Sequence, residues 1–266
     1  FIIPTYYAMN ADGSKIGTAY GEGRNPFLLD TLKNDDKYVL VQFRTKEGLA
    51  TYGRMNVENG AILDTFKKPP TEAFGFYVTD NASQVRLYIS PKSYKESKVY
   101  GRASENGDWK VIHDQLATEQ EFTFLAFSSD NQTAYFTLSE KTGPNAVYSY
   151  DFKTGARKLV SRDDNVDPGS LLSSPVDDGV YAIRYKDGFP RYDIIDKANP
   201  AARNLLKLQA SFPDTDVYPV SATKDGNKVI YVVESDTIAG EYYLFDNTTQ
   251  KAEHLVSRVS WLDSAK

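Results

Sequence analysis

Four short hairpins recur along this chain at a nearly constant interval, and that spacing restricts the fold more than any other feature. The clearest runs from Ala146 to Leu159, where Val147, Tyr148, Tyr150 and Phe152 supply the β-branched and aromatic residues that suit a pleated sheet. Lys153-Thr154-Gly155 then provides a turn with glycine where the backbone needs a positive φ. Matching hairpins run from Tyr6 to Gly13, Tyr52 to Gly60 and Val99 to Gly107. The turn glycines Gly13, Gly60, Gly107 and Gly155 therefore recur at a spacing of about 47 residues throughout. Two looser copies, Pro190 to Lys197 and Glu241 to Thr249, keep the phase. A strand-and-turn repeat of this length is the period of a β-propeller blade, a four-stranded antiparallel sheet repeated about an axis.

The remaining strands fall into place around the hairpins. Tyr38 to Phe43 is an apolar run typical of a buried strand, and the next unit reads Phe74–Val78, Val85–Ile89, the hairpin through Tyr100, and Trp109–Ile112. The third unit repeats this with Phe122–Phe127 and Ala134–Leu138. The fourth uses Val180–Tyr185 and Tyr192–Ile195 but ends irregularly. There Asn199 and Pro200 stand as cap and first helical residue before a run of helix formers, so the pattern predicts a short helix within 198–208. Val217–Ala222, Lys228–Val233, Glu241–Phe245 and Ala252–Val256 make the fifth unit.

The expected organisation is one all-β propeller domain over residues 1–266. It comprises a half-blade at 1–20, complete blades at about 25–67, 73–115, 121–162, 168–209 and 216–257, and a C-terminal linker at 258–266. The last blade is complete and the leading half-blade lacks partner strands, so the chain reads as a piece of a longer protein. Its open sheet edge would leave an arc, or pair with a second copy, unless the first residues close the ring against Val256 to Leu262.

Composition narrows the function. Hydrophobic residues at 41% suffice for a core, and 19 Tyr and 14 Phe against 2 Trp and 2 Met suit a sheet protein rather than a helical bundle. A net charge of −5 would repel a phosphate backbone, so nucleic acid is not an expected partner. The sequence shows no apolar run of transmembrane length and no charged-then-apolar signal at Phe1, which predicts a soluble chain with targeting absent or removed. Having no Cys excludes disulfides, thiolate zinc sites and cysteine nucleophiles, and leaves periplasm and cytoplasm both open.

Candidate chemistry is sparse. The histidines, His113 and His254, fall in predicted fourth strands with no serine context and read as structural. Asp35-Asp36, Asp163-Asp164 and Asp177-Asp178 lack the alternating oxygen ligands of a calcium loop and read as solvated turns. Asn81, Asn131 and Asn247 head glycosylation-type triplets in predicted turns, where ordinary turn chemistry is the competing account. Arg44, Arg86, Arg184 and Arg191 lie in or beside strands. Their guanidinium forks could hold a peptide carboxylate or carbonyl, but an inter-blade salt bridge is the preferred reading. No catalytic, cofactor, metal or substrate-binding residue is assigned, and no cofactor is expected.

Several of these segments resemble the N-terminal propeller of the prolyl oligopeptidase family of serine peptidases, in its bacterial dipeptidyl- and acylaminoacyl-peptidase branch. Phe127-Ser128-Ser129-Asp130-Asn131 is similar to that family's phenylalanine-serine-proline-aspartate-glycine blade signature, with Ser and Asn replacing Pro and Gly, and Val220 to Lys228 is a second copy. Asp187 to Tyr192 and Ser235 to Asp246 are similar to the last two blades before the hydrolase domain. The resemblance implies a fragment of a seven-bladed propeller that caps an α/β-hydrolase domain of the same chain and screens its peptide substrates. The sequence stops near Trp261-Leu262-Asp263 and holds no glycine-any-serine-any-glycine elbow, so catalysis is not expected in this chain. The alternative is a stand-alone propeller similar to TolB that binds a protein partner.

Overall fold

The computed structural model describes residues 26–45, 47–63, 67–259 and 261. The half-blade expected at 1–20, its open edge and any ring closure through Tyr6 lie outside the described residues. The chain divides into two compact units, residues 1–121 and 122–266.

Among the described residues the first unit holds two four-stranded sheets. One comprises β1 (Phe27–Asp30), β2 (Tyr38–Arg44), β3 (Ala50–Asn56) and β4 (Ile62–Leu63). The other comprises β5 (Phe76–Thr79), β6 (Val85–Ser93), β7 (Glu96–Gly101) and β8 (Lys110–Asp114), and the short helix α1 (Gln115–Thr118) follows it. Among the described residues the second unit holds three sheets. β9 (Phe122–Phe127), β10 (Thr133–Leu138), β11 (Ala146–Asp151) and β12 (Arg157–Ser161) form the first. β13 (Ser170–Ser173), β14 (Val180–Asp187) and β15 (Phe189–Ile194) form the second, and helix α2 (Pro200–Ser211) follows. β16 (Asp216–Ala222), β17 (Lys228–Glu234), β18 (Glu241–Asp246) and β19 (Lys251–Ser257) form the third. In every sheet the strands lie in chain order and pair antiparallel. Among the described residues no helix is long and apolar enough to cross a membrane.

The one departure from four strands has a local cause. Asn199 accepts the Ala201 N–H at 2.9 Å, and Pro200 brings a fixed φ and no N–H to the first helical position. A helix therefore starts where a fourth strand would otherwise run. It buries Ala202, Leu205 and Leu208 in a core shared with Tyr181, Val217, Tyr231 and Phe245.

Two turn types recur along the described residues. Three of the hairpins seen in the sequence are Asx turns, whereas the Gly107 turn closes through its N–H to Ser104 O without the expected positive φ, and Gly13 lies outside the described residues. Asn56, Asp151 and Asp246 each accept two following backbone N–H groups, and the chain leaves through a left-handed residue at Gly60, Gly155 and Gln250 respectively. The turns between first and second strands carry a second left-handed series at Ser83, Asn131, Asp178 and Gly226, which keeps the same spacing of about 47 residues. Asn131, an asparagine in place of the more usual glycine, holds a left-handed conformation here. Each first-to-second strand pair also contains a register shift. A shift there bends the first strand and increases its twist.

Second strands are buried on both faces, as in Val85–Tyr88 and Val180–Ile183, which is why they read as continuous apolar runs. Tyrosines fill much of the space between sheets. In the first unit Tyr77 packs against Tyr52 at 4.8 Å and Tyr88 at 4.7 Å between ring centroids. Most such hydroxyls find a partner: Tyr77 donates to Ala50 O at 3.1 Å and Tyr88 to Ala73 O at 2.9 Å. Tyr181 is the contrast, fully buried with a hydroxyl that has no partner among the described residues. Removing an orphan hydroxyl relieves a desolvation cost, so Tyr181→Phe should be neutral or stabilising by up to about 1 kcal/mol, while Tyr88→Phe should cost about 1 kcal/mol. Urea midpoints of the two variants check this, and a loss at Tyr181 equal to that at Tyr88 would contradict it.

Candidate functional site

The arginines singled out by sequence are already committed to protein partners. In the first unit Arg44 stacks over Phe74 at 4.5 Å. Arg86 is buried, with Nη1 2.9 Å from Asp80 Oδ2 and Nε donating to Arg102 O at 2.8 Å. In the second unit two arginines join neighbouring sheets. Arg184 of β14 reaches Asp216 at the start of β16 at 2.9 Å, and Asp216 also accepts the Tyr192 hydroxyl at 2.6 Å. Arg191 of β15 grips Asp163, in the loop after β12, and Asp193, each at 2.6 Å, and lies over the Tyr185 ring. Arg184 and Arg191 are thus the inter-blade salt bridges that the sequence suggested, whereas Arg86 serves its own sheet.

These networks set the local electrostatics. The N–H of Asn165, joined by that of Val166 and the Arg191 guanidinium, holds Asp163 below the usual carboxylate range. Burial first, then the hydrogen bond to Asp216, pushes the Tyr192 hydroxyl up. Of the other acid pairs, Asp35 accepts the N–H groups of Lys37 and Tyr38 and pairs with Arg54, and Asp177 accepts that of Gly179. Both act as turn formers. Among the described residues no group of three His, Asp or Glu is placed to hold a metal.

His113 is buried in β8, with Nε2 2.8 Å from Gln120 O. His254 has company that the sequence did not reveal. On the β18–β19 hairpin its Nε2 lies 2.5 Å from Glu241 Oε2 and 3.5 Å from the Ser257 hydroxyl, which itself donates to Glu241 at 2.6 Å. Serine, histidine and acid are present, yet a relay needs the acid on one imidazole nitrogen and the nucleophile on the other. Here both partners meet the same nitrogen and the seryl proton goes to the carboxylate. The cluster pins two strands together.

That pin is pH-dependent. The Ser257 hydroxyl, and next His254, hold the Glu241 carboxyl below its ordinary range. A depressed carboxyl stabilises the fold above its unfolded pKa, and that contribution is lost as pH falls through the lower folded value. Ser257→Ala should therefore be less stable than the parent at neutral pH, with the gap closing below about pH 4. Thermal melts across that range test this, and a gap independent of pH would refute it.

A polar concavity in the second unit was not legible in the sequence. It is a cleft of about 530 Å³ between the first half of α2 and three turns of the neighbouring strands. Asn247, head of a glycosylation-type triplet, belongs to its wall. Its Oδ1 accepts from Asn204 Nδ2 and its own Nδ2 donates to Gly226 O, each at 2.6 Å, so this asparagine braces the cleft. Asn131 and Asn81 sit in first-to-second strand turns.

Antiparallel sheets of consecutive strands, repeated about every 47 residues, make this chain a β-propeller module. No protein-family model matches it. It is 27% identical over 215 residues to dipeptidyl aminopeptidase BIII of Pseudoxanthomonas mexicana, a match covering 76% of this chain and 31% of that protein. Prolyl oligopeptidase B of Galerina marginata, solved with a 35mer hydrolysis and macrocyclization substrate, aligns with a TM-score of 0.51 and 10% identity. That alignment covers 97% of this chain and 37% of the other. An uncharacterized protein of Listeria monocytogenes EGD-e aligns with a TM-score of 0.53 and 12% identity, over 88% of this chain and 65% of that one. The chain spans about a third of the length of the curated relative. Its sequence is thus similar to part of a dipeptidyl aminopeptidase, and its fold to part of a prolyl oligopeptidase.

Proposed function

We propose that this chain is the non-catalytic propeller of a serine peptidase, one domain over residues 1–266. In this reading it caps an α/β-hydrolase domain of the same polypeptide and admits peptide substrates by size. The observation that carries the reading is the 215-residue sequence match to a dipeptidyl aminopeptidase. The disposition of Ser257, His254 and Glu241 supports the non-catalytic part, since it gives serine no base. Arg184 and Arg191 fit a frame role, because stiff joints between blades keep an entry path of fixed width.

Two measurements test the proposal. The chain alone, incubated with dipeptide arylamides and a fluorophosphonate, should show no turnover and take no label. Stoichiometric labelling would overturn its non-catalytic role. Expressed from its complete reading frame, the protein should cleave dipeptide arylamides and discriminate against long peptides, and deleting the propeller should remove that discrimination. A reading frame without a hydrolase domain would instead favour a TolB-like binding module.

A further inference from the structure

The cleft beside α2 takes no part in the peptidase role proposed above. Its floor carries Tyr231, fully buried, whose hydroxyl makes no hydrogen bond of good geometry. Burial, offset in part by the nearby Asn204 amide, pushes that hydroxyl up to about 12, so it stays protonated and able to donate. Val176 and Val229 give the cleft an apolar side.

The charges around it are arranged unequally. Arg203 and Lys207 stand one turn apart on α2, both exposed, and among the described residues neither forms an ion pair. Arg203 donates to Ala198 O at 3.3 Å, and Lys207 to the neutral Gln250 side chain at 2.5 Å. The acids on the rim are turned into their own loops. Asp225 accepts Thr223 Oγ1 at 2.5 Å, Asn227 Nδ2 at 2.7 Å and Asn227 N at 3.0 Å, while Asp177 accepts Gly179 N at 3.0 Å. The two rim carboxylates keep their charge but use their lone pairs within their own loops, while the two cations have no ion-pair partner among the described residues, and the helix N-terminus adds positive potential.

We infer that this cleft binds a small organic carboxylate, with the charged group held by Arg203 and Lys207, the Tyr231 hydroxyl as a further donor, and a short apolar body against Val176 and Val229. A planar guanidinium and a point ammonium on adjacent turns suit a carboxylate, and 530 Å³ accommodates a ligand the size of a dipeptide. The site is independent of the proposed peptidase role.

N-acetyl-dialanine, with a free carboxylate, and its C-terminal carboxamide are the paired probes, titrated into the full chain by calorimetry and by amide NMR shifts. The acid should bind saturably and shift amides of α2, with the carboxamide at least about tenfold weaker because a charge-assisted contact is lost. Arg203→Gln with Lys207→Gln should abolish binding without changing the melting temperature, and Tyr231→Phe should weaken it several-fold. Equal binding of the carboxamide, retained binding in the double variant, or tighter binding of inorganic phosphate than of the acid would each overturn the assignment.

Discussion

Replacing Arg86 with methionine is expected to cost the first unit about 3–5 kcal/mol, because it strands the buried Asp80 carboxylate without its cation. Asp80 and Arg86 side chains are only 2% and 3% exposed. The aspartate also accepts the N–H groups of Ala82 and Gln84, each at 3.0 Å, and so holds the β5–β6 turn. Loss of Arg86 also frees the Arg102 carbonyl, and Arg102 in turn supports Tyr52 and lies over Trp109 at 4.4 Å. A fall of roughly 10 °C in melting temperature follows for a protein of this size. Adding Asp80→Asn to Arg86→Met should recover part of the loss, since the amide keeps an acceptor for the turn and removes the buried charge. If Arg86→Met melts within about 1 kcal/mol of the parent, the pair carries none of the weight assigned to it.

Gln42→Met is the second large expected effect. Gln42, buried in β2, donates to Gly75 O at 2.8 Å and accepts Tyr77 N at 2.9 Å, so one side-chain amide pairs with the backbone entering β5 as a neighbouring strand would. Methionine keeps the volume and leaves two buried backbone groups unpaired, at about 1–3 kcal/mol each. Gln42→Glu separates the two bonds. It keeps an acceptor for Tyr77 but sets carboxylate oxygen against the Gly75 carbonyl, so it should be destabilised at neutral pH and recover as acid protonates the side chain into a donor. Denaturation of Gln42→Met at the parent's midpoint, or a Gln42→Glu defect that grows in acid, would contradict this account.

Neither Gln42 nor the buried ion pair could be anticipated from the chain itself. Periodicity reports which face of a strand is covered, and a glutamine inside an apolar run looks like an exception until its backbone partners in the next sheet, Gly75 and Tyr77, are placed. The hairpins were legible because Gly60 and Gly155 mark their left-handed residues, while the companion turn series was obscured by Ser83, Asn131 and Asp178 in positions where glycine is the usual signal. The helix that replaces a fourth strand was readable from Asn199-Pro200 alone. For the arginines, sequence offered the correct kind of partner at Arg184 and Arg191 and missed that Arg86 stays within its own sheet. The Ser257–His254–Glu241 pin and the α2 cleft escaped because each depends on side chains meeting across turns, where spacing along the chain carries little information.

Strands that lie in chain order have a consequence for synthesis. A nascent chain leaving the ribosome presents each described sheet whole as soon as its last strand emerges, with no described strand waiting for a distant partner. Loop-closure costs inside each sheet are those of short hairpins, and only the side-chain joints, such as Arg184 to Asp216, must wait for the next sheet to emerge. Pulse-labelled hydrogen exchange on stalled chains of increasing length should therefore show protection arriving in steps, one sheet at a time, from the amino-terminal side.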